Sequence, residues 1–195
     1  MVKIAVVLGS TRPGRNGEAV ARWMYDLAGK RSDAEFELLD IADFDLPMLD
    51  EPVPPSMGQY SHEHTRRWAA KVAEFDGYVF VTPEYNHSTS AALKNALDHV
   101  YAEWNNKAAG FVSYGSAGGI RAVEQLRLMM AELQVATVRA QVALSLFTDF
   151  ENYSSFHPAA DHEPAVTALL DQLVCWSQAM KSVRERDPLG TIYRS

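Results

Sequence analysis

The sequence predicts an α/β fold, a five-stranded parallel sheet in the order 2-1-3-4-5 sandwiched between two layers of helices. Three observations carry this. Apolar, β-rich runs alternate with segments of helical period along the whole chain. Two of those runs are almost continuously apolar, as strands covered on both faces must be. The most unusual polar stretches follow the first, third and fourth runs, where a sheet of this order gathers its loops at one edge. A chain of 195 residues, 47% hydrophobic and 22% charged, is long enough for one buried core and short for two, so a single domain over residues 1–195 is expected.

Taken in order, "KIAVVLG" (about 3–9) is the first strand, and Val20, Trp23, Met24 and Leu27 form the stripe of the first helix. "EFELLDI" (about 35–41) is the second strand. A proline-rich loop, "LPMLDEPVPP", separates it from a second helix marked by Trp68, Val72 and Phe75. "GYVFVTP" (about 77–83) is the third strand, followed by a helix whose stripe is Leu93, Ala96, Leu97, Val100 and Trp104. "AAGFVSYG" (about 108–115) and "ATVRAQVAL" (about 136–144) are the last two strands, flanking a helix of Val123, Leu126, Met130 and Leu133. Val166, Leu169, Leu170 and Leu173 define the fifth helix, and "DPLGTIYRS" reads as a tail that frays or packs on a partner. Sequence repeats are absent.

Composition narrows the function. The one cysteine, Cys175, allows neither a disulfide framework nor a cysteine metal cluster and fits a reducing compartment, with the cytoplasm as the expected address. The opening "MVKIAVVLG" is too short an apolar run for a signal peptide, and no stretch approaches the ~20 apolar residues of a spanning helix. A net charge of −7 argues against nucleic acid as a partner and requires that any anionic ligand be held by a local cluster of donors.

The first loop, "GSTRPGRNG", is neither the dinucleotide nor the triphosphate glycine motif. It offers the hydroxyls of Ser10 and Thr11, the guanidinium groups of Arg12 and Arg15, the Asn16 amide and free N–H groups where a helix starts near Gly17. Such a set suits a terminal monophosphate; otherwise Asn16 caps the helix and the arginines are solvated. In the second loop, Pro83 ends the strand, and Glu84, Tyr85, Asn86 and His87 then stand at the sheet edge before Ser90 can cap the next helix. A turn there aims backbone donors and acceptors into the cleft, with Tyr85 as a stacking face, as reading a flat heteroaromatic ring requires. The third loop, "SYGSAGGIR", contributes Gly115, Ser116, Gly118 and Gly119, which permit close backbone approach to a ligand.

Together, "LGSTRPGRNGEAVARW", "TPEYNHS…LKNALD" and "EWNNKAAGFVSYGSAGG" resemble the NADPH-dependent FMN reductase family, flavodoxin-like flavoenzymes that include chromate, quinone and azo-dye reductases. The resemblance implies that Ser10, Arg12, Arg15, Asn16 and Gly17 hold the FMN phosphate. It further implies that Pro83, Glu84, Tyr85 and Asn86 line the isoalloxazine, with Gly115, Ser116 and Gly118 on its other side. It implies a flavodoxin-like three-layer sandwich, FMN as cofactor, NADPH or NADH as cosubstrate, and a small acceptor such as free flavin, quinone, azo compound or metal oxyanion. No side-chain acid or base is obligatory for hydride transfer to a flavin, so no catalytic residue is assigned. The alternative is a flavoprotein without enzymatic activity, an electron carrier or an FMN-bound regulatory module. Family members often carry Ser and Asn where this chain has Arg15 and Gly17, and Pro near Ser90.

Other patterns argue for less. Ser116 with Asp149 or Asp161 and His157 or His162 follows the chain order of a hydrolase triad, but Tyr114 stands where the nucleophile elbow needs glycine. His62 and His64 in "SHEHTRR" do not share a helix face and lack an evident third ligand, so no metal site is expected. Cys175 is expected in the core, and His99 in a surface or interface pair with Asp98. On the fourth helix, Ile120 and Met129 widen the apolar arc and Leu128 lies off it. That surplus, like the family resemblance, points to a homodimer or a tetramer of dimers, unless the connection at 145–163 covers it within one chain.

Overall fold

The computed structural model describes residues 1–186, so the expected tail at 187–195 lies outside the described residues. Five parallel strands, β1 (Val2–Leu8), β2 (Ala34–Asp40), β3 (Gly77–Pro83), β4 (Lys107–Gly115) and β5 (Val135–Ser145), pair in the order β2-β1-β3-β4-β5. Each observed boundary lies within one residue of the sequence reading. β3 and β4 are buried along their whole length, as their near-continuous apolar character requires.

The two-residue period of the strands divides the core between two faces. Val6, Leu8, Val79, Val81 and Val112 meet α1 (Gly17–Ala28) and α5 (His162–Arg186). Val7, Phe80 and Phe111 meet α2 (Glu63–Ala73), α3 (Ala91–Asp98) and α4 (Ile120–Glu132). Among the described residues no helix is long and apolar enough to cross a membrane.

Two elements differ from expectation. The third apolar stripe is not one helix: α3 ends at Asp98, and Trp104 follows in a short 3₁₀ turn, Ala102–Trp104. Trp104 is still 1% exposed, 4.9 Å from the Tyr78 ring, with its indole N–H on the Leu97 carbonyl at 3.2 Å. Burial, not helical continuity, produced the stripe. The connection after β5 also contains an unexpected hairpin, β6 (Phe150–Glu151) and β7 (Ser155–Phe156), turning through Asn152 and Tyr153 at φ 51° and 60°. Phe156 packs on Phe150 and Trp23 over the α1 face, opposite to α4. The connection therefore leaves Ile120 (47%) and Leu128 (69%) exposed, while Met129 packs on the core.

Candidate flavin site

Register brings the three loops together. Leu8 pairs with Val81 and Pro83 with Tyr114, so the chain leaves β1, β3 and β4 at one level of the sheet.

The first loop is pinned at both ends. Gly9 N–H donates to the Val81 carbonyl at 2.9 Å, and the Ser90 hydroxyl donates to the Gly9 carbonyl while accepting from Leu93 N–H at 3.0 Å. Ser90 thus caps α3 and also ties it to the loop. Ser10 is fully buried; its hydroxyl lies 3.2 Å from that of Tyr85. Arg15 does not reach into open space. Its guanidinium makes a bidentate pair with Asp40 at the end of β2 and donates to the Ser10 carbonyl. Asp40 in turn accepts from Ala42 N–H at 2.9 Å. Asn16 starts α1 but does not cap it; its amide donates to the Tyr153 carbonyl at 2.7 Å, joining the loop to the β6–β7 hairpin. Arg12 is exposed, and its guanidinium has no partner among the described residues.

The residue that sequence reading missed is Tyr114. Its side chain, 5% exposed, runs beneath the start of α1. A Cβ on Gly17 would stand 2.6 Å from its hydroxyl, so only glycine fits there. That hydroxyl is buried and forms no hydrogen bond of acceptable geometry with any described residue. Burial, reinforced by Tyr85 and opposed by Arg12, Arg15 and the nearby Gly17 N–H, holds the phenol above its ordinary value, so it carries a proton to donate. An orphaned buried donor is costly, and this one lies beside the first N–H groups of α1, which lack acceptors within the helix. The residues present fit a phosphate at this position. The signal in the sequence was the alternation of "FVSYG", which puts Val112 and Tyr114 on the α1 face.

The second loop is a tight hairpin turn. Tyr85 N–H donates to the Ser88 carbonyl at 2.9 Å and Ser88 N–H returns to Tyr85 at 3.2 Å, with Asn86 and His87 at φ 49° and 73°. Tyr85, Asn86 and His87 are exposed, whereas Pro83 is buried in the sheet. The Glu84 side chain is only 4% exposed. Its carboxylate pairs with Arg121 and accepts Arg121 N–H at 3.1 Å in the first turn of α4. Glu84 is a brace between loops two and three. In the third loop, Ser116 is exposed, the Ser113 hydroxyl donates to the Gly118 carbonyl at 2.7 Å, and Gly119 sits at φ 72°. A Cβ on Gly119 would lie 2.6 Å from Ser113 Cβ.

A cleft of about 280 Å³ opens from Thr11 toward Ile41, Asp45, Leu46 and Asn95. It lies on the α3 side of the first loop rather than between all three loops, because the Tyr85 phenol reaches across to Ser10.

The remaining expectations divide. Asp149 and His162 do pair, at 2.7 Å, but the carboxylate also accepts Ser145 and Ala159 N–H and so ties down the connection after β5; Ser116 bonds to neither. Cys175 is exposed, not in the core, because it lies on α5 away from Leu173 and Val174. His99 is fully buried, not at the surface, between the Pro47 carbonyl at 3.0 Å and Thr65. Asp98 pairs instead with Lys94.

A parallel sheet of this order, with its polar loops gathered at the switch point, defines a flavodoxin-like fold. The sequence model of the NADPH-dependent FMN reductase family matches residues 2–149, and the chain belongs to that family. It is 38% identical over 188 residues to an NAD(P)H-dependent FMN reductase of Schizosaccharomyces pombe, covering 95% of this chain and 94% of the other. It is 29% identical over 192 residues to a quinone reductase of Pseudomonas putida, covering 92% and 97%. Among solved structures, the flavoenzyme NAD(P)H:(acceptor) oxidoreductase of Paracoccus denitrificans superposes with a TM-score of 0.71 at 21% identity, covering 92% and 99%. The protein is an FMN-dependent oxidoreductase that uses NAD(P)H.

Proposed function

We propose that this chain reduces a small quinone-class acceptor with NAD(P)H, through FMN held by the loops after β1, β3 and β4. The observation that carries the placement is the orphaned Tyr114 hydroxyl beneath Gly17. FMN, when bound, would supply two-electron hydride chemistry between a nicotinamide and the acceptor. The protein's own residues bind and orient. Arg12, the N–H groups at the start of α1 and the Tyr114 hydroxyl take the phosphate. Arg15, held by Asp40, shapes the loop through the Ser10 carbonyl. Glu84, anchored on α4, fixes the turn that presents Tyr85 and Asn86 to one side of the ring, with Gly115, Ser116 and Gly118 on the other.

Exposed Leu128 and Ile120 on α4 support a homodimer, or a tetramer built from dimers, and one cysteine with a need for NADPH supports a cytoplasmic setting. The test is steady-state NADPH oxidation by the FMN-loaded protein with quinone, free flavin and azo-dye acceptors. Turnover with quinone is expected. A flavin-bound protein that oxidises NADPH with none of them is instead a carrier or regulatory module.

A further inference from the structure

Outside the flavin loops, the structure assembles a cluster that the helical spacing of "SHEHTRR" does not suggest. His62 precedes α2 in extended conformation (φ −98°, ψ 145°), so the one-helix geometry that would separate it from His64 does not apply. The two imidazoles stack, with ring centroids 5.2 Å apart. Asp50, from the proline-rich connection, brings its carboxylate to 3.0 Å from His64 Nε2 and 3.9 Å from His62 Nε2. His99, from the end of α3, closes the group: one donor atom each from Asp50, His64 and His99 lies within 4.8 Å of the other two.

His99 is fully buried and oriented by its surroundings. Nε2 faces the Pro47 carbonyl at 3.0 Å, an acceptor that places the ring proton on Nε2 and leaves a lone pair on Nδ1. Only the Thr65 hydroxyl, at 3.3 Å, meets that nitrogen. A backbone carbonyl holding one imidazole nitrogen is the usual outer-shell arrangement of a metal histidine, and the Thr65 hydroxyl must turn away from Nδ1 for that nitrogen to ligate.

We propose that Asp50, His64 and His99 form a site for a divalent zinc-class cation, with His62 as the fourth donor. Two or three neutral imidazoles and one carboxylate are the donor set of a borderline divalent ion. Tetrahedral ligand atoms about 2.0–2.1 Å from zinc stand about 3.4 Å from one another. Asp50 and His64 already stand 3.0 Å apart, so the contraction, up to about 1.4 Å from the 4.8 Å limit, is toward buried His99, and the more exposed Asp50 and His64 are the residues that must move. The ion fastens the proline-rich connection to α2 and to the C-terminal end of α3, whose N-terminal end is the one tied to the first flavin loop.

The test is calorimetric titration of the full-length, chelator-stripped protein with Zn²⁺ alone. Saturation at one ion per chain is expected. Asp50→Asn and His64→Gln, both at accessible positions, are each expected to weaken binding at least tenfold, while His157→Gln, at an exposed histidine outside the cluster, leaves it unchanged. Zn²⁺ should raise the thermal midpoint of the parent protein, EDTA should reverse the rise, and neither should move that of Asp50→Asn. Circular dichroism is the check that the variants are folded. No saturable binding, or equal affinity in the parent and in folded Asp50→Asn and His64→Gln, overturns the assignment.

Discussion

The two ends of the sheet both carry charged and hydroxyl groups and treat them differently. At the amino end the charged groups satisfy one another, although the buried Ser177 hydroxyl and Gln134 amide oxygen have no partner among the described residues and Asn106 and Gln134 also hold positive φ. Asp76 accepts from Lys3 N–H at 3.0 Å, from Lys181 at 3.3 Å and from Arg184, while Lys3 and Lys71 share Glu37 and Glu74. Lys107, almost wholly buried, donates to the Val72 carbonyl at 2.8 Å and the Tyr78 hydroxyl at 3.0 Å. At the carboxyl end, Tyr114 and Arg12 have no such partners among the described residues, and Asn86, His87, Gly118 and Gly119 hold positive φ. A polar cluster closed on itself serves the fold. What sets the carboxyl end apart is that its open donors, Arg12 and Tyr114, stand beside the start of α1, where an anionic ligand can complete them.

The contrast makes separable predictions. Amino-end variants should change stability and leave FMN affinity alone; carboxyl-end variants should do the reverse. The largest effect is expected from Asp76→Ala, which strands Lys181 and Arg184. A stability loss of about 3 kcal/mol in urea, with unchanged FMN affinity, is the expected result, and a loss of FMN binding in the folded variant would erase the distinction. Next, Arg12→Ala should weaken FMN binding by about 1.5–3 kcal/mol, the range for a charge-assisted hydrogen bond, without shifting the urea midpoint.

Lys107 gives a prediction in pH. Burial, with Arg184 adding to it and Asp76 and Glu103 opposing, lowers its pKa to about 7. Between that value and the unfolded value of about 10.4, the unfolded chain binds the extra proton. Stability contributed by this group therefore rises with pH across that window, by up to about 1.4 kcal/mol per unit. The difference in stability between the parent and Lys107→Met should shrink or invert as pH climbs from 7 toward 10; a difference independent of pH would show that the lysine does not titrate there. Smallest is Tyr114→Phe. FMN affinity should fall by about 1 kcal/mol while the free protein is no less stable, since the variant deletes an unsatisfied buried hydroxyl. A destabilised free protein with normal FMN affinity would place Tyr114 with the structural cluster instead.

The strands, their order and the three loops were legible because continuous apolar runs and turn residues are local signals. What was not legible depended on distant partners. His99 looks like a surface residue until Pro47 and Thr65, 52 and 34 positions away, supply its hydrogen bonds. Arg15 and Arg12 look alike in "STRPGRNG", yet Asp40 engages only Arg15. Nothing in "TPEYN" shows that the Glu84 carboxylate braces α4, because its partner Arg121 lies 37 positions away. Trp104 extends a helical stripe numerically and belongs to a different turn, since a buried cluster accepts side chains from any backbone that reaches it.

The central claim, that the open donors at the carboxyl edge hold the flavin's phosphate, is tested most directly by comparing two flavins. Fluorescence titration of the flavin-free protein with FMN and with riboflavin, which lacks the phosphate, isolates that contribution. FMN is expected to bind at least about a hundredfold more tightly, as two or more charge-assisted contacts require, and Arg12→Ala should narrow the gap. Equal affinity for the two flavins would contradict the account.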